Sequence, residues 1–190
     1  MTDKPQPSSI PITGIIVIAL LGIGGFVLMT AGAFNKLEFK APVKPEPFTA
    51  IIVHHQGNYP DIQPKIVALS QYLKENEITP AQQIAVFYYD PQQTSRQSLE
   101  CAGGFILTNN IQNINSGEYT ITNIQLNTAA VYSFSGHPII GTQKGRQQIK
   151  KWCIQNNYTV TGRSVERYEI KGNSIIITSY NPVIPITSAD

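Results

Sequence analysis

The sequence is short of charge and short of cysteine. Of its 190 residues, 14 are Lys or Arg and 12 are Asp or Glu, a net of +2. So sparse and balanced a charge leaves no basic stripe of the kind that tracks nucleic-acid phosphates. Cysteine occurs only at Cys101 and Cys153, far apart and outside any C-x-x-C pair. That excludes a sequence-evident zinc site or disulfide framework. A single bridge between the two is open, but two buried free thiols is the favoured reading, since free cysteine behaves as a small buried hydrophobe.

Charge is absent altogether from Pro5 to Asn35. Inside that stretch Ile10 to Phe34 reads IPITGIIVIALLGIGGFVLMTAGAF, long enough to cross a hydrocarbon core, which takes roughly 20 apolar residues. A transmembrane helix is therefore expected over 10–34, behind a short tail, 1–9. The rival is a cleaved signal peptide, because Ala31-Gly32-Ala33 has the small-x-small form. Against it, the apolar run exceeds the roughly 7–15 residues of a signal core, and only Lys4 and the terminal amine precede it. Lys36, Lys40 and Lys44 follow the span, so the positive-inside rule places the C-terminal side in the cytoplasm and the N-terminus outside. Residues 35–48, with Ala41-Pro42-Val43-Lys44-Pro45-Glu46-Pro47, read as an extended, semi-rigid linker.

From 49 to 186 one pattern is used twice, before a tail at 187–190. In the first half, about 49–108, the strand Thr49–His55 stops at Gly57-Asn58-Tyr59-Pro60. Asp61 then caps a helix whose Ile62, Ile66, Leu69 and Leu73 share a face, with Pro64 tolerable in the first turn. Strands Ile84–Tyr89 and Glu100–Thr108 follow. In the second half, about 119–186, the strand Ala129–Phe134 stops at Gly136-His137-Pro138. A helix over Thr142–Gln155 aligns Ile149, Trp152 and Cys153 as core, then come strands Ser164–Ile170 and Ser174–Tyr180 about the turn Lys171-Gly172-Asn173. Between the halves, 109–128 is a connection with a short strand at Tyr119–Gln125. The spacings Gly57 to Tyr88 and Gly136 to Tyr168 differ by one residue. The expected fold class is α+β, a pseudo-twofold duplication of strand-helix-strand-strand. Its helices lie on one side, leaving a concave seam on the other, and such seams form pockets.

These stretches resemble the GyrI-like small-molecule-binding (effector-binding) domain family. The likeness is carried by Val53-His54-His55-Gln56-Gly57-Asn58-Tyr59, by Ala85 to Pro91 with the later Cys101, and by Val165-Glu166-Arg167-Tyr168, over about 49–185. The layout is most similar to the membrane-anchored ER-phagy receptor branch, which also has an N-terminal span, a small-residue exit and a short spacer. That resemblance implies a cytosol-facing module. It carries no autophagy role, because the receptor's partner motif lies in a tail that has no match here.

Glu166 is the sharpest candidate residue. With Tyr168 and Ile170 it forms the more apolar face of its strand, while Val165, Arg167 and Glu169 form the other. A carboxylate facing the seam is costly to bury unless a cation arrives or a proton stays. The resemblance implies the same use, since a pocket acid among aromatics is how the family holds lipophilic cations. The bland alternative pairs Glu166 with Arg167 or Lys150, half in solvent. Superposing the halves sets Tyr88 on Tyr168 and Val86 on Glu166, so the first half offers aromatics without an acid, and Tyr88 or Tyr89 could stack on a cation. Tyr59 and His55 complete the expected ligand-binding set: Glu166, Tyr168, Tyr88, Tyr59 and His55.

Other features point to structure. Asp90-Pro91 reads as a turn and Gly103-Gly104 as a bulge or close backbone approach. His54 and His55 are adjacent on a strand and face opposite ways, so they do not chelate a metal together. Some GyrI-like relatives are hydrolases that use two carboxylates and a Tyr, but the last strand here offers Ile176-Ile177-Thr178-Ser179. No catalytic residue, cofactor or metal is assigned. The expected function is a membrane-anchored module binding a small lipophilic or cationic ligand. The rivals are a tethered protein-interaction module without a small ligand and, last, a hydrolase of reactive small molecules. No nucleic-acid partner is expected, for no helix-turn-helix precedes the domain.

Overall fold

The computed structural model describes residues 29–88, 99–108, 117–172 and 174–187. Most of the expected span, residues 10–28, and the Asp90-Pro91 turn lie outside the described residues. Among the described residues no helix is long and apolar enough to cross a membrane.

The duplicated pattern builds one antiparallel sheet. Its strands are β1 (Glu38–Val43), β2 (Phe48–Gln56), β3 (Pro80–Phe87), β4 (Glu100–Leu107), β5 (Thr120–Ile124), β6 (Ala129–Ser135), β7 (Tyr158–Val160), β8 (Ser164–Lys171) and β9 (Ser174–Pro185). The two helices are α1 (Gln63–Glu75) and α2 (Pro138–Asn156). The strand order is β1-β6-β9-β8-β3-β4-β2-β5, with β7 added on β9. Half one (β2, α1, β3, β4) and half two (β6, α2, β8, β9) thus meet where β3 pairs β8, across a pseudo-twofold axis. Each first strand ends at a glycine with positive φ, Gly57 at 120° and Gly136 at 143°. Side chains rarely adopt such φ values, so the chain reverses into each helix at a residue without one.

Both helices lie on the same face. Opposed residues of antiparallel strands share a face, and the pairings run Phe39, Tyr132, Ser179, Glu166, Ala85, Gly103, Val53 in one row from β1 to β2. A Cβ on Gly145 of α2 would fall 2.3 Å from the Tyr132 ring, and one on Gly103 would fall 2.5 Å from Ile66 of α1. Glycine on the helix in one half and on the sheet in the other lets each helix seat closely. The opposite, helix-free face carries Ala50, Ile52, Ile84, Val86, Ala102 and Val165, all buried, with Phe48, Tyr88 and Tyr180 packed over them. Cys101 and Cys153 are both buried free thiols.

Several expectations are corrected. The linker 35–48 is not a free spacer: Glu38–Val43 is strand β1, paired with β6. Leu37, Phe39 and Ala41 pack against the cluster of Tyr132, Ile149 and Cys153. Pro42 fits there because an edge strand tolerates a residue with no N–H. The end of the expected span is also not helix, since residues 31–34 form a turn docked on the domain. Ala31 O accepts from His137 N at 2.9 Å, Asn35 Nδ2 donates to Ser135 O at 2.6 Å, and Lys144 Nζ donates to Ala33 O and Asn35 O. Asp61 caps nothing. It sits inside a 3-10 turn, Tyr59–Ile62, that leads into α1.

Candidate functional site

β8 and β3 are the central strands, and their helix-side surface forms a floor between the strands on which α1 and α2 seat. On that floor Glu166 stands opposite Ala85, Tyr168 opposite Gln83, and Ser164 opposite Phe87. Ala85, Gln83, Phe87, Ser164 and Tyr168 are half-buried, whereas Glu166 is 8% exposed. The seam therefore lies on the helix-covered face. The expectation that Glu166 faces a helix-free concavity is corrected by the register, because alternation along a strand defines two faces without saying which one the helices cover.

The carboxyl of Glu166 is held by the phenol of Tyr168. Tyr168 Oη donates to Glu166 Oε2 at 2.5 Å, and the phenol of Tyr132, two strands away in the same row, adds a weaker polar influence on the carboxyl. Tyr132 is tied in turn to Ser179 and to Thr142 of α2, and Asn181 Nδ2 donates to Ser179 Oγ at 3.0 Å. Burial raises the Glu166 pKa above the ordinary carboxyl range; the two phenols and the positive charge of Arg146 oppose that rise without cancelling it. Tyr168 is driven upward by its own burial and by the adjacent Glu166 charge. The arrangement is a desolvated acid whose proton or counter-charge is the variable quantity.

The other expected residues separate. Tyr59 packs on Phe87, ring centroids 4.8 Å apart, on the same face as Glu166 and beside it along β3. His55, with Nε2 3.1 Å from Asn58 O, lines a groove of about 330 Å³ with His54, Gln56, Glu100 and Cys101. Burial lifts the Cys101 thiol to about 11, so it is no nucleophile at neutral pH. Tyr88 lies on the opposite face, its ring 6.1 Å from that of His54 and nearly parallel to it. The expected superposition of Val86 on Glu166 fails for the same reason. Val86 and Glu166 lie on opposite faces, and the residue opposed to Glu166 across the pseudo-twofold is Ala85.

Tyr132, Ser179, Thr142 and Arg146 were not expected at the site. Tyr132 alternates with Ala130 and Phe134 as ordinary core, and only the pairing of β6 through β9 to β8 brings it to Glu166. The residue of β9 opposed to Glu166 is Ser179, so the floor supplies one acid where a paired-carboxylate mechanism needs two.

Comparison with known proteins agrees on the fold. The chain is similar to the C-terminal domain of EcmrR, with a TM-score of 0.60 and 15% identity over 79% of this chain and 98% of that one. It is also similar to EcmrR in its complex with DNA, at TM-score 0.58 and 13% identity; 88% of this chain matches 65% of that longer one. A hydrolase from Listeria innocua matches at TM-score 0.51 and 8% identity, over 79% of this chain and 92% of its own. No protein-family model and no curated protein matches the sequence. At these identities the likeness establishes a sheet-rich α+β fold consistent with a GyrI-like domain.

Proposed function

We propose that this chain is a GyrI-like binding module that takes a small lipophilic or cationic molecule on the cleft floor between its half-domains. The observation that carries the reading is Glu166, buried, raised in pKa and hydrogen-bonded by Tyr168 on a floor whose other residues are half-buried. Burying an ionised carboxyl without a counter-charge is costly. A cation arriving there offsets that cost, and the faces of Tyr168 and Phe87 offer it ring contacts of roughly 0.5–2 kcal/mol each. Tyr59 walls the first-half side. His55 and Tyr88 lie outside this group.

The apolar run from Ile10 up to the docked turn serves in this reading as the membrane anchor, N-terminus outside, with Lys36, Lys40 and Lys44 on the cytoplasmic side. The docking of Ala31–Asn35 on α2 and β6 supports a domain mounted directly at the end of the span rather than on a free spacer.

A second reading, a tethered protein-interaction module, has one observation in its favour: the positive charge of Arg146 already bears on Glu166. The test is a thermal-shift titration of the full-length chain with a lipophilic cation and its neutral isostere, beside Glu166→Gln. A ligand bound only by the folded form stabilises it by RT ln(1 + [L]/Kd), about 2.7 kcal/mol at 100-fold excess. Cation-selective stabilisation lost in the variant supports the binding module; no shift with either probe supports the interaction module.

A further inference from the structure

Arg167 follows Glu166 and therefore points to the other face of the sheet, where its situation is reversed. Its guanidinium carbon lies 4.0 Å from the Phe48 ring centroid and 5.0 Å from that of Tyr180. Phe48 is on β2 and Tyr180 on β9, so the sheet curls until residues on both sides of β8 hold one side chain. Among the described residues Arg167 makes no hydrogen bond or ion pair, and its Nε is buried without an acceptor.

Among the described residues, the acids of this face on β8 and in the row of Arg167 are committed or distant. Glu169, two residues along β8, pairs with Lys171 at 3.4 Å. Glu38 is in the same row but three strands away, through Ser133 and Thr178, well beyond ion-pair reach at about 4.8 Å per strand. Contact with rings offsets part of the cost of covering Nε, but it gives that donor no acceptor, and the side chain as a whole is only half-buried. A positioned fork with no acceptor is the complement of an anion.

We propose that Arg167 anchors a second ligand site, on the helix-free face, that takes a carboxylate bearing an apolar body. The planar fork matches a two-oxygen planar acceptor. Lys40, in the neighbouring row, is three strands away and Lys171 is paired with Glu169, so among these residues Arg167 alone offers an unpaired positive charge, which suits a monoanion better than a phosphate dianion. Phe48 and Tyr180 give the apolar body rings to lie against. Thr178, opposed to Arg167, carries a hydroxyl that donates to Ser133 Oγ at 3.4 Å and adds polar groups at the edge. This site shares no side chain with the Glu166 cleft.

The test is titration of the full-length chain with benzoate, against benzamide as its uncharged isostere, followed by NMR of the Arg167 Nε–H and the Phe48 and Tyr180 rings. Benzoate is expected to shift these signals saturably and benzamide to leave them unmoved. Arg167→Met should weaken benzoate at least tenfold, Arg167→Lys should weaken it less, and Glu166→Gln should leave it unchanged. An unmoved Nε–H signal in the wild-type chain overturns the proposal, whether or not the variants fold. So does benzamide binding as well as benzoate, or Arg167→Met binding benzoate as the wild type does.

Discussion

Half one and half two share a frame and differ in chemistry. Each has a first strand ending at a positive-φ glycine, a helix on the same face, and a third element that pairs across the axis. At the axis half one presents Ala85 and Phe87, while half two presents Glu166 and Tyr168. The packing rules that fix a duplicated fold act on both copies, but an acid on both sides of the axis would set two buried like charges face to face. One half therefore carries the charge and the other supplies the wall. The helices differ in the same spirit: α2 brings Gly145 down on Tyr132 and so supports the phenol that reaches Glu166, whereas α1 brings Ile66 down on a bare Gly103.

The halves also differ at their outer edges, and the largest expected effect lies there. β1 covers β6 and, with Leu37, Phe39 and Ala41, packs on the α2 side of half two. Removing residues 1–43 should cost about 4 kcal/mol or more beyond the removal of 1–28 alone, at roughly 1.5–3 kcal/mol per large side chain uncovered. Urea unfolding of the two truncations measures the difference. Equal stability would show that β1 is dispensable.

Ala85→Glu breaks the asymmetry directly. The new carboxyl would stand opposite Glu166, with Cβ atoms about 4.5–5.5 Å apart, and two such acids do not ionise together. A loss of about 3 kcal/mol is expected at neutral pH, consistent with an unpaired buried charge, and much of it should be recovered below pH 4. A pH-independent loss would indicate a steric clash alone.

Glu166→Gln sharpens the comparison with a smaller change of opposite sign. The folded-state pKa of Glu166 is raised, chiefly by burial. Its contribution to stability is therefore fully present below the ordinary carboxyl pKa and is lost as pH rises through the higher folded value. The glutamine variant should match the wild type in acid and exceed it at neutral pH. Melting temperatures from pH 4 to 8 test this, and parallel curves for the two proteins would contradict a raised pKa.

The sequence makes the frame legible because glycine turns and period-2 strands are local signals. Gly57 and Gly136 mark the two helix entries, and β2, β4 and β6 lie within a residue or two of where alternation puts them. What escaped was non-local. β1 hides behind Pro42, Lys40 and Lys44, which read as spacer, because nothing local announces an edge strand that β6 will accept. Spacing matches Tyr88 to Tyr168, and a one-residue slip on a strand reverses the face. Glu166 and Tyr168 could be paired from their i, i+2 spacing alone. Tyr132 could not, since it reaches the acid only through the register of two intervening ladders.

The most direct measurement is the melting temperature of the full-length chain with a lipophilic cation and with its neutral isostere, for wild type, Glu166→Gln and Tyr88→Phe. A rise with the cation alone is expected, retained in Tyr88→Phe, whose ring lies on the other face, and lost in Glu166→Gln. A cation response undiminished in Glu166→Gln, or equal stabilisation by the neutral isostere, would contradict a binding module built on that acid.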